Sequence, residues 1–319
     1  MKLVVNILAY NEEKTVGQVI DLVPRSISGI REVMIEVIDD GSTDRTAAIA
    51  SEKGAYVVKH HTNKGVGVAF STGVLEALKQ HADIVVNMDA DMQFDPRDIP
   101  KLIEPIVKKY AGFVTCTRFK DPALMPEMPG IKIWGNRLVV KIINYITKQH
   151  FSDVSCGFRA FSHDTLLRLN LFGDFTYTQE TFIDLVQKKV IIAEVPLKVR
   201  GVREFGRSKV ANNVISYGVR SLIIMIRAMR DFKPLKFFGG IGISVMALGV
   251  FSYGFLFIHW LIAQRTWPFA SLLIIGGGML IVGFLLIVLA LIADMLGRIK
   301  RIEEESLYYN KRTIYNNQK

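Results

Sequence analysis

Two stretches near the C-terminus, residues 235–262 and 269–293, are almost free of charge, and each exceeds the ~20 residues that cross a bilayer core. Only residues 263–268 separate them. A soluble fold would have to bury both on every side, so the expectation is an antiparallel transmembrane hairpin. The same excess shows in the totals, with 50% hydrophobic residues and a mean hydropathy of +0.27 over 319 residues. Lys233 and Lys236 flank the start of the first stretch and Arg298, Lys300 and Arg301 follow the second, while the connection holds only Arg265. The positive-inside rule then puts both termini and the whole N-terminal region in the cytoplasm.

The formal charge of +10 fits nucleic acid, anionic lipid or anionic substrates. The apolar stretches favour the last two, so no nucleic acid partner is expected. Residues 1–10 lack the charged start and long apolar run of a secretory signal. Cys116 and Cys156 are too few for a disulfide framework and are not spaced as metal ligands, which predicts ordinary buried thiols. The segment 294–319 reads as a polar cytoplasmic tail.

From residue 2 onward, apolar β-rich runs alternate with helix-like segments, the pattern of an α/β domain with a mostly parallel sheet and helices on both faces. Strands are expected at 3–9, 34–38, 56–59, 84–88, 113–117 and 191–195. Helices should begin near Glu12, Thr43, Gly67, Pro96 and Thr178, with Ser42 or Thr43 as N-cap of the second and Asp44 in its first turn. Ligands of such sheets bind beyond the carboxyl ends of the strands. The polar runs LAYNEE, DDGSTD and DADMQ follow the first, second and fourth strands, and so converge on one edge.

Two segments combine apolar residues at helical spacing with cations. In 131–147, Ile131, Trp134, Leu138, Ile142 and Tyr145 are interspersed with Lys132, Arg137 and Lys141, and Lys148 follows. In 210–232, Val214, Leu222, Met225 and Met229 accompany Arg220, Arg227 and Arg230. Either could be a core helix, but basic amphipathic helices beside membrane spans suit a lipid interface.

Asp89 and Asp91, two residues apart at a strand end, can direct oxygens at one hard cation, and Gln93 can add a neutral carbonyl. Magnesium or manganese there would stabilise the charge that grows on a departing nucleoside diphosphate. Arg203 and Lys209, in VREFGRSK, are further phosphate candidates or a solvated basic loop. Of Asp39 and Asp40, one can accept from a base or ribose while the other orients the Asp-Gly turn. Tyr10 and Glu12 have similar choices. The run Asn63 to Gly67 lacks the third glycine of a dinucleotide fingerprint, which disfavours an NAD-linked oxidoreductase.

The ordered set LAYNEE, DDGSTD, NKGVG, DADMQ, TRF, SDVSCGFRAF and VREFGRSK resembles family 2 glycosyltransferases of the GT-A fold. Within them it is similar to the polyprenyl phosphate group, which includes dolichyl phosphate mannose synthases and bacterial polyprenyl phosphate glucosyltransferases. The resemblance implies nucleotide-sugar contacts at Leu8, Tyr10, Glu12, Val37, Asp39, Asp40, Asp89, Ala90, Asp91 and Gln93, although Leu8 stands where many relatives have proline. It implies a phosphate-binding set of Arg118, Arg203 and Lys209. Arg137 resembles an arginine that receives the acceptor lipid's phosphate together with Arg118, and Lys141 beside it replaces a smaller polar residue of some relatives. Transfer should depend most on Asp91, Arg118 and Asp153. Asp153 has three options: to orient a metal-bound water, to orient a sugar hydroxyl, or to brace Arg159.

The implied layout is a catalytic domain over 1–207, an interface helix over 208–232, the hairpin 235–293 and the tail. The implied reaction is inverting transfer of a hexose, mannose or glucose, from GDP-mannose or UDP-glucose to dolichyl or undecaprenyl phosphate at the cytoplasmic membrane face, in a chain that could form homo-oligomers. A polysaccharide synthase with a hydroxyl acceptor would need a QxxRW motif, which none of Trp134, Trp260 and Trp267 completes. A non-catalytic nucleotide-binding scaffold would not require DADMQ together with an acceptor-side arginine.

Overall fold

The computed structural model describes residues 1–128, 130–170, 178–201, 230 and 233–316. They fall into two compact units, one of residues 1–219 with 305–319 and one of residues 220–304.

The first unit is built on seven strands: β1 (Lys2–Ala9), β2 (Glu32–Asp39), β3 (Tyr56–Lys59), β4 (Ile84–Asp89), β5 (Phe113–Thr117), β6 (Arg159–Ser162) and β7 (Ile192–Pro196). They lie in the order β3-β2-β1-β4-β6-β5-β7. All pairings are parallel except those of β6, which runs antiparallel to β4 and β5. Strand β6 was not expected. Its four residues follow a polar loop and show no alternation long enough to read.

One face of the sheet is apolar. Leu3, Val5 and Ile7 of β1, Ile35 and Val37 of β2, and Ile84, Val86 and Met88 of β4 form a single core. Val16, Val19 and Ile20 of helix α1 (Val16–Leu22) and Ile99, Leu102 and Ile103 of α4 (Ile99–Val107) complete it. Helix α2 (Thr46–Glu52) adds Ala50.

The opposite face carries a polar row. Glu36 pairs in register with Asn6, Asn6 with Asn87, Asn87 with Arg159, Arg159 with Thr115, and Thr115 with Glu194, so the row crosses six strands. Asn6 Nδ2 donates to Asn87 Oδ1 at 2.9 Å. Helix α3 (Val66–Lys79) lies over it, and Gly73 leaves the room, since a Cβ there would come within 2.5 Å of the Asn6 side chain. The guanidinium of Arg159 sits over the rings of Phe113 and of Phe182 in α7 (Thr178–Gln187). Burial, reinforced by the Glu76 charge, pushes Glu36 up from 4.5 to about 8, so its carboxyl is held protonated.

Helix α1 starts later than expected because Glu12 first closes a turn, its carbonyl accepting from Thr15 and Val16. Helix α2 starts at Thr46 without the expected Ser42 or Thr43 cap. The Ser42 hydroxyl accepts from Asn11 N instead, and Asp44 Oδ1 accepts from Thr46 N at 3.0 Å. Helix α5 (Gly130–Thr147) and the short α6 (His163–Arg168) complete the unit with the last turns of the C-terminal helix. In those turns Tyr308 donates to Asp164 Oδ1 at 2.7 Å under the Arg168 guanidinium. Lys311 donates to Leu169 O and Asn170 Oδ1.

The second unit contains α8 (Pro234–Ala263) and most of α9 (Ser271–Asn316). Both are long and apolar enough to cross a membrane, and few of their side chains are buried, so they are not core helices. Residues 294–316, expected as a polar tail, continue α9. The two helices pack glycine against glycine: a Cβ on Gly242 would meet Gly283 O at 2.8 Å, and one on Gly249 would meet Gly276 O at 2.9 Å. The segment expected as an interface helix, 208–232, lies outside the described residues except for Arg230.

Candidate active site

The loops after β1 and β2 are laced together by short polar side chains. Asn11 takes φ +52°, a left-handed turn that asparagine tolerates, and its N–H donates to Ser42 Oγ at 2.8 Å. Its Oδ1 accepts from Thr43 N at 2.9 Å, and Glu12 N donates to Thr46 Oγ1 at 2.8 Å. The adjacent acids of DDGSTD then take different parts. Asp40 Oδ1 accepts from Lys64 N at 2.9 Å and lies 2.7 Å from His60 Nδ1, while Oδ2 accepts from Gly65 N at 2.8 Å. It is the brace of the turn. Asp39 Oδ1 accepts from Ser42 N at 3.0 Å, and Oδ2 lies 3.8 Å from Lys59 Nζ. Gly41 is obligatory, because a Cβ would meet the Thr62 backbone at 2.5 Å and its φ is +76°.

Asp89 ends β4 half-exposed, and Asp91 is buried just beyond it. Between Asp91 and Gln93 the chain turns through Met92 at φ +60°, a strained conformation for this residue. Asp91 Oδ1 accepts from Gln93 N at 3.1 Å across that turn. Gln93 Nε2 donates to Arg200 O at 3.3 Å, and Arg200 N donates to Gln93 O at 2.9 Å, which ties the loop to the chain leaving β7. Among the described residues no cluster of three His, Cys, Asp or Glu could hold a metal. Two carboxylates and an amide carbonyl still fit a hard cation that draws the rest of its shell from water and a diphosphate.

Beyond β5, Arg118 closes on Asp153, with Nε donating to Oδ2 at 2.7 Å and Nη2 to Oδ1 at 3.0 Å. Burial works to lower the arginine's pKa, but the Asp153 charge outweighs it and holds the group above its ordinary value. Arg118 Nη2 also donates to Ser155 Oγ at 2.7 Å. Asp153 therefore braces Arg118 and not Arg159. Arg159 donates from below to Cys156 O at 2.7 Å and to Val154 O at 3.2 Å. Glu194 holds the start of the same loop, accepting from Ser152 N at 2.8 Å, Ser152 Oγ at 2.9 Å and Asp153 N at 3.0 Å. Sequence reasoning missed Glu194; the only signal was an acid inside an otherwise apolar strand.

Helix α5 splits into two faces. Val139, Ile143 and Ile146 are buried, whereas Trp134, Arg137, Leu138, Lys141 and Tyr145 are exposed, Trp134 to 66% and Tyr145 to 73%. Apolar and cationic groups thus share the outward face.

Of the residues implied for nucleotide-sugar contact, Tyr10, Glu12, Asp39, Asp89, Asp91 and Gln93 gather at the carboxyl edge of β1, β2 and β4. Val37 has its side chain wholly buried in the apolar core, two residues short of that edge. Ala90 packs into the same core, so only its backbone faces the loop, and Leu8 is buried in β1. Asp40 stands beside that edge with both its oxygens bonded within the chain. Arg203 and Lys209 lie outside the described residues.

The chain was compared with known proteins. A solved structure of glucosyl-3-phosphoglycerate synthase from Mycobacterium tuberculosis with Mn2+, UDP-glucose and phosphoglyceric acid superposes with a TM-score of 0.54 at 23% identity, covering 72% of this chain and 78% of that one. At that identity it shows the fold, GT-A. The UDP-N-acetylglucosamine–dolichyl-phosphate N-acetylglucosaminyltransferase of Methanococcus voltae is 31% identical over 69% of this chain and 93% of its own. Glycosyltransferase AglJ of Haloferax volcanii is 27% identical over 92% and 95%. The family described as Glycosyl transferase family 2 matches residues 4–169, just over half of the chain, from within β1 through β6. With that match on the sheet that carries DADMQ and the Arg118–Asp153 pair, the chain is a glycosyltransferase and belongs to glycosyl transferase family 2.

Proposed function

We propose that this chain transfers a hexose, mannose or glucose, from a nucleoside diphosphate sugar to a polyprenyl phosphate at the cytoplasmic face of a membrane that α8 and α9 cross as a hairpin. The carrying observation is that the helix with the outward apolar and cationic face, α5, is hydrogen-bonded to the loop that holds Asp153 against Arg118. A lipid-facing surface and a buried phosphate-competent cation thereby belong to one substructure. The Methanococcus voltae relative, named for a dolichyl phosphate acceptor, supports the same reading.

On this reading Asp39, Tyr10 and Glu12 receive the nucleoside of GDP-mannose or UDP-glucose. Asp89, Asp91 and Gln93 would hold Mg2+ or Mn2+, which when bound supplies Lewis-acid stabilisation of the leaving diphosphate. Arg137 and Lys141 meet the lipid phosphate at the membrane surface, and Arg118, fixed in place by Asp153, lies behind them. No residue is needed to deprotonate the acceptor, because a phosphate monoester with a second pKa near ~6 is already largely dianionic at neutral pH. Its oxygen attacks the anomeric carbon opposite the diphosphate, inverting the configuration. The protein's part is alignment and electrostatics.

Membranes holding the full chain, incubated with a panel of radiolabelled nucleotide sugars and polyprenyl phosphate, should yield one labelled chloroform-soluble product that mild acid hydrolyses. Label confined to water-soluble or polymeric products would overturn the lipid-phosphate acceptor.

A further inference from the structure

Ser155 stands between two parts of the site that the sequence keeps far apart. Its hydroxyl lies 2.7 Å from Arg118 Nη2, 2.7 Å from Asn136 Oδ1 of α5 and 3.2 Å from Asp153 Oδ1. The guanidinium can only donate, so the hydroxyl oxygen accepts there and its single proton must go elsewhere. Asp153 Oδ1 already accepts from Arg118 Nη2 and from Ser155 N at 3.0 Å, and it is the more distant acceptor. The proton therefore goes to Asn136. A second tie lies two turns along the helix, where the Asn144 amide bonds Phe151 O and Phe151 N, both at 2.9 Å.

We infer that Asn136 and Ser155 are positioning residues that set where α5 presents Arg137 to the acceptor phosphate relative to Arg118. Asn136 immediately precedes Arg137, so a shift of this link moves the guanidinium that follows. Neither residue needs to touch the substrate. Asn144 pins the far end of the same helix, so that losing the Asn136 contact frees the Arg137 end while the remainder stays seated. The inference rests on the lipid-phosphate reading for its kinetic consequence, but the link itself does not.

The test uses the full chain in membranes with Ser155→Ala, Asn136→Ala, both together, and Ser155→Thr. Each alanine variant should raise the KM for polyprenyl phosphate three- to tenfold, with a smaller change in kcat and little change in the KM for the sugar nucleotide. The double variant should be no worse than either single one, and Ser155→Thr, which keeps the hydroxyl, should restore the wild-type KM. Additive losses, parallel rises in both KM values, or failure of the threonine variant would overturn the inference. Amide hydrogen exchange supplies a readout independent of acceptor identity: both alanine variants should speed exchange at the start of α5 and in residues 152–156. Unchanged exchange would refute the link, whereas faster exchange in a chain that labels no lipid would refute only the acceptor.

Discussion

Arg118 and Asp153, thirty-five residues apart in sequence, form a two-bonded ion pair in which the carboxylate is wholly buried and the arginine partly so. Such a pair adds little net stability over an apolar replacement, but breaking it is costly, because the survivor is left charged and desolvated. Asp153→Ala should lower unfolding stability by about 3–5 kcal/mol. The double variant with Arg118→Ala should recover much of that stability without recovering transfer. Thermal unfolding and lipid labelling on the same four samples check both halves.

Asp91 should separate catalysis from folding. Asp91→Ala is expected to abolish transfer while the protein stays folded and membrane-bound, since the bond that its Oδ1 accepts from Gln93 N is local. Chelation of divalent cations should silence the wild type, and Mg2+ or Mn2+ should restore it. Near-normal turnover in the variant would remove the metal assignment.

Arg137 is exposed on α5 and makes no contribution to the core. Arg137→Ala should raise the KM for polyprenyl phosphate about tenfold, the loss of one charged contact of ~1.4 kcal/mol. Binding of the sugar nucleotide, measured by calorimetry, should stay as in the wild type. An equal loss on both substrates would refute the division of labour.

Glu36 predicts a pH effect on stability. Its folded pKa is raised to about 8 from 4.5, so the folded chain keeps a proton that the unfolded chain gives up. The contribution is fully present below 4.5 and is lost as pH rises towards 8. Glu36→Gln should therefore stabilise the protein at pH 7 by roughly 3 kcal/mol and leave it unchanged at pH 4.5. Melting temperatures across that range in detergent give the comparison; equal shifts at both ends would mean that the carboxyl is not buried as described.

Much of the sheet was legible because its strands are apolar on both sides of each polar loop, and because DDGSTD and DADMQ mark strand ends by composition. The first two residues of β2 were not expected because Glu32, at its start, gives no strand signal. What stayed hidden was pairing. Nothing in the sequence tells Asp40 from Asp39, and only the approach of the 60–65 loop makes one of them a brace. Asp153 could have met a water, a sugar or Arg159; the antiparallel β6 turns the loop so that Arg159 faces the sheet interior and Asp153 faces Arg118. Glu194 could not be recognised without knowing that β7 lies beside β5.

The polar row across the sheet acts as an alignment key. Each of Glu36, Asn6, Asn87, Arg159, Thr115 and Glu194 is correctly surrounded only when its strand is in native register. Sliding any one strand by a single residue would turn its polar member into the apolar core and an aliphatic neighbour into the row. Misaligned sheets are thus penalised at several strands at once, and the last tooth of the key, Glu194, is the residue that grips the Ser152–Asp153 backbone. Errors in strand alignment and errors in the placement of Asp153 are consequently the same errors, which gives quality control of the chemistry to the folding of the sheet.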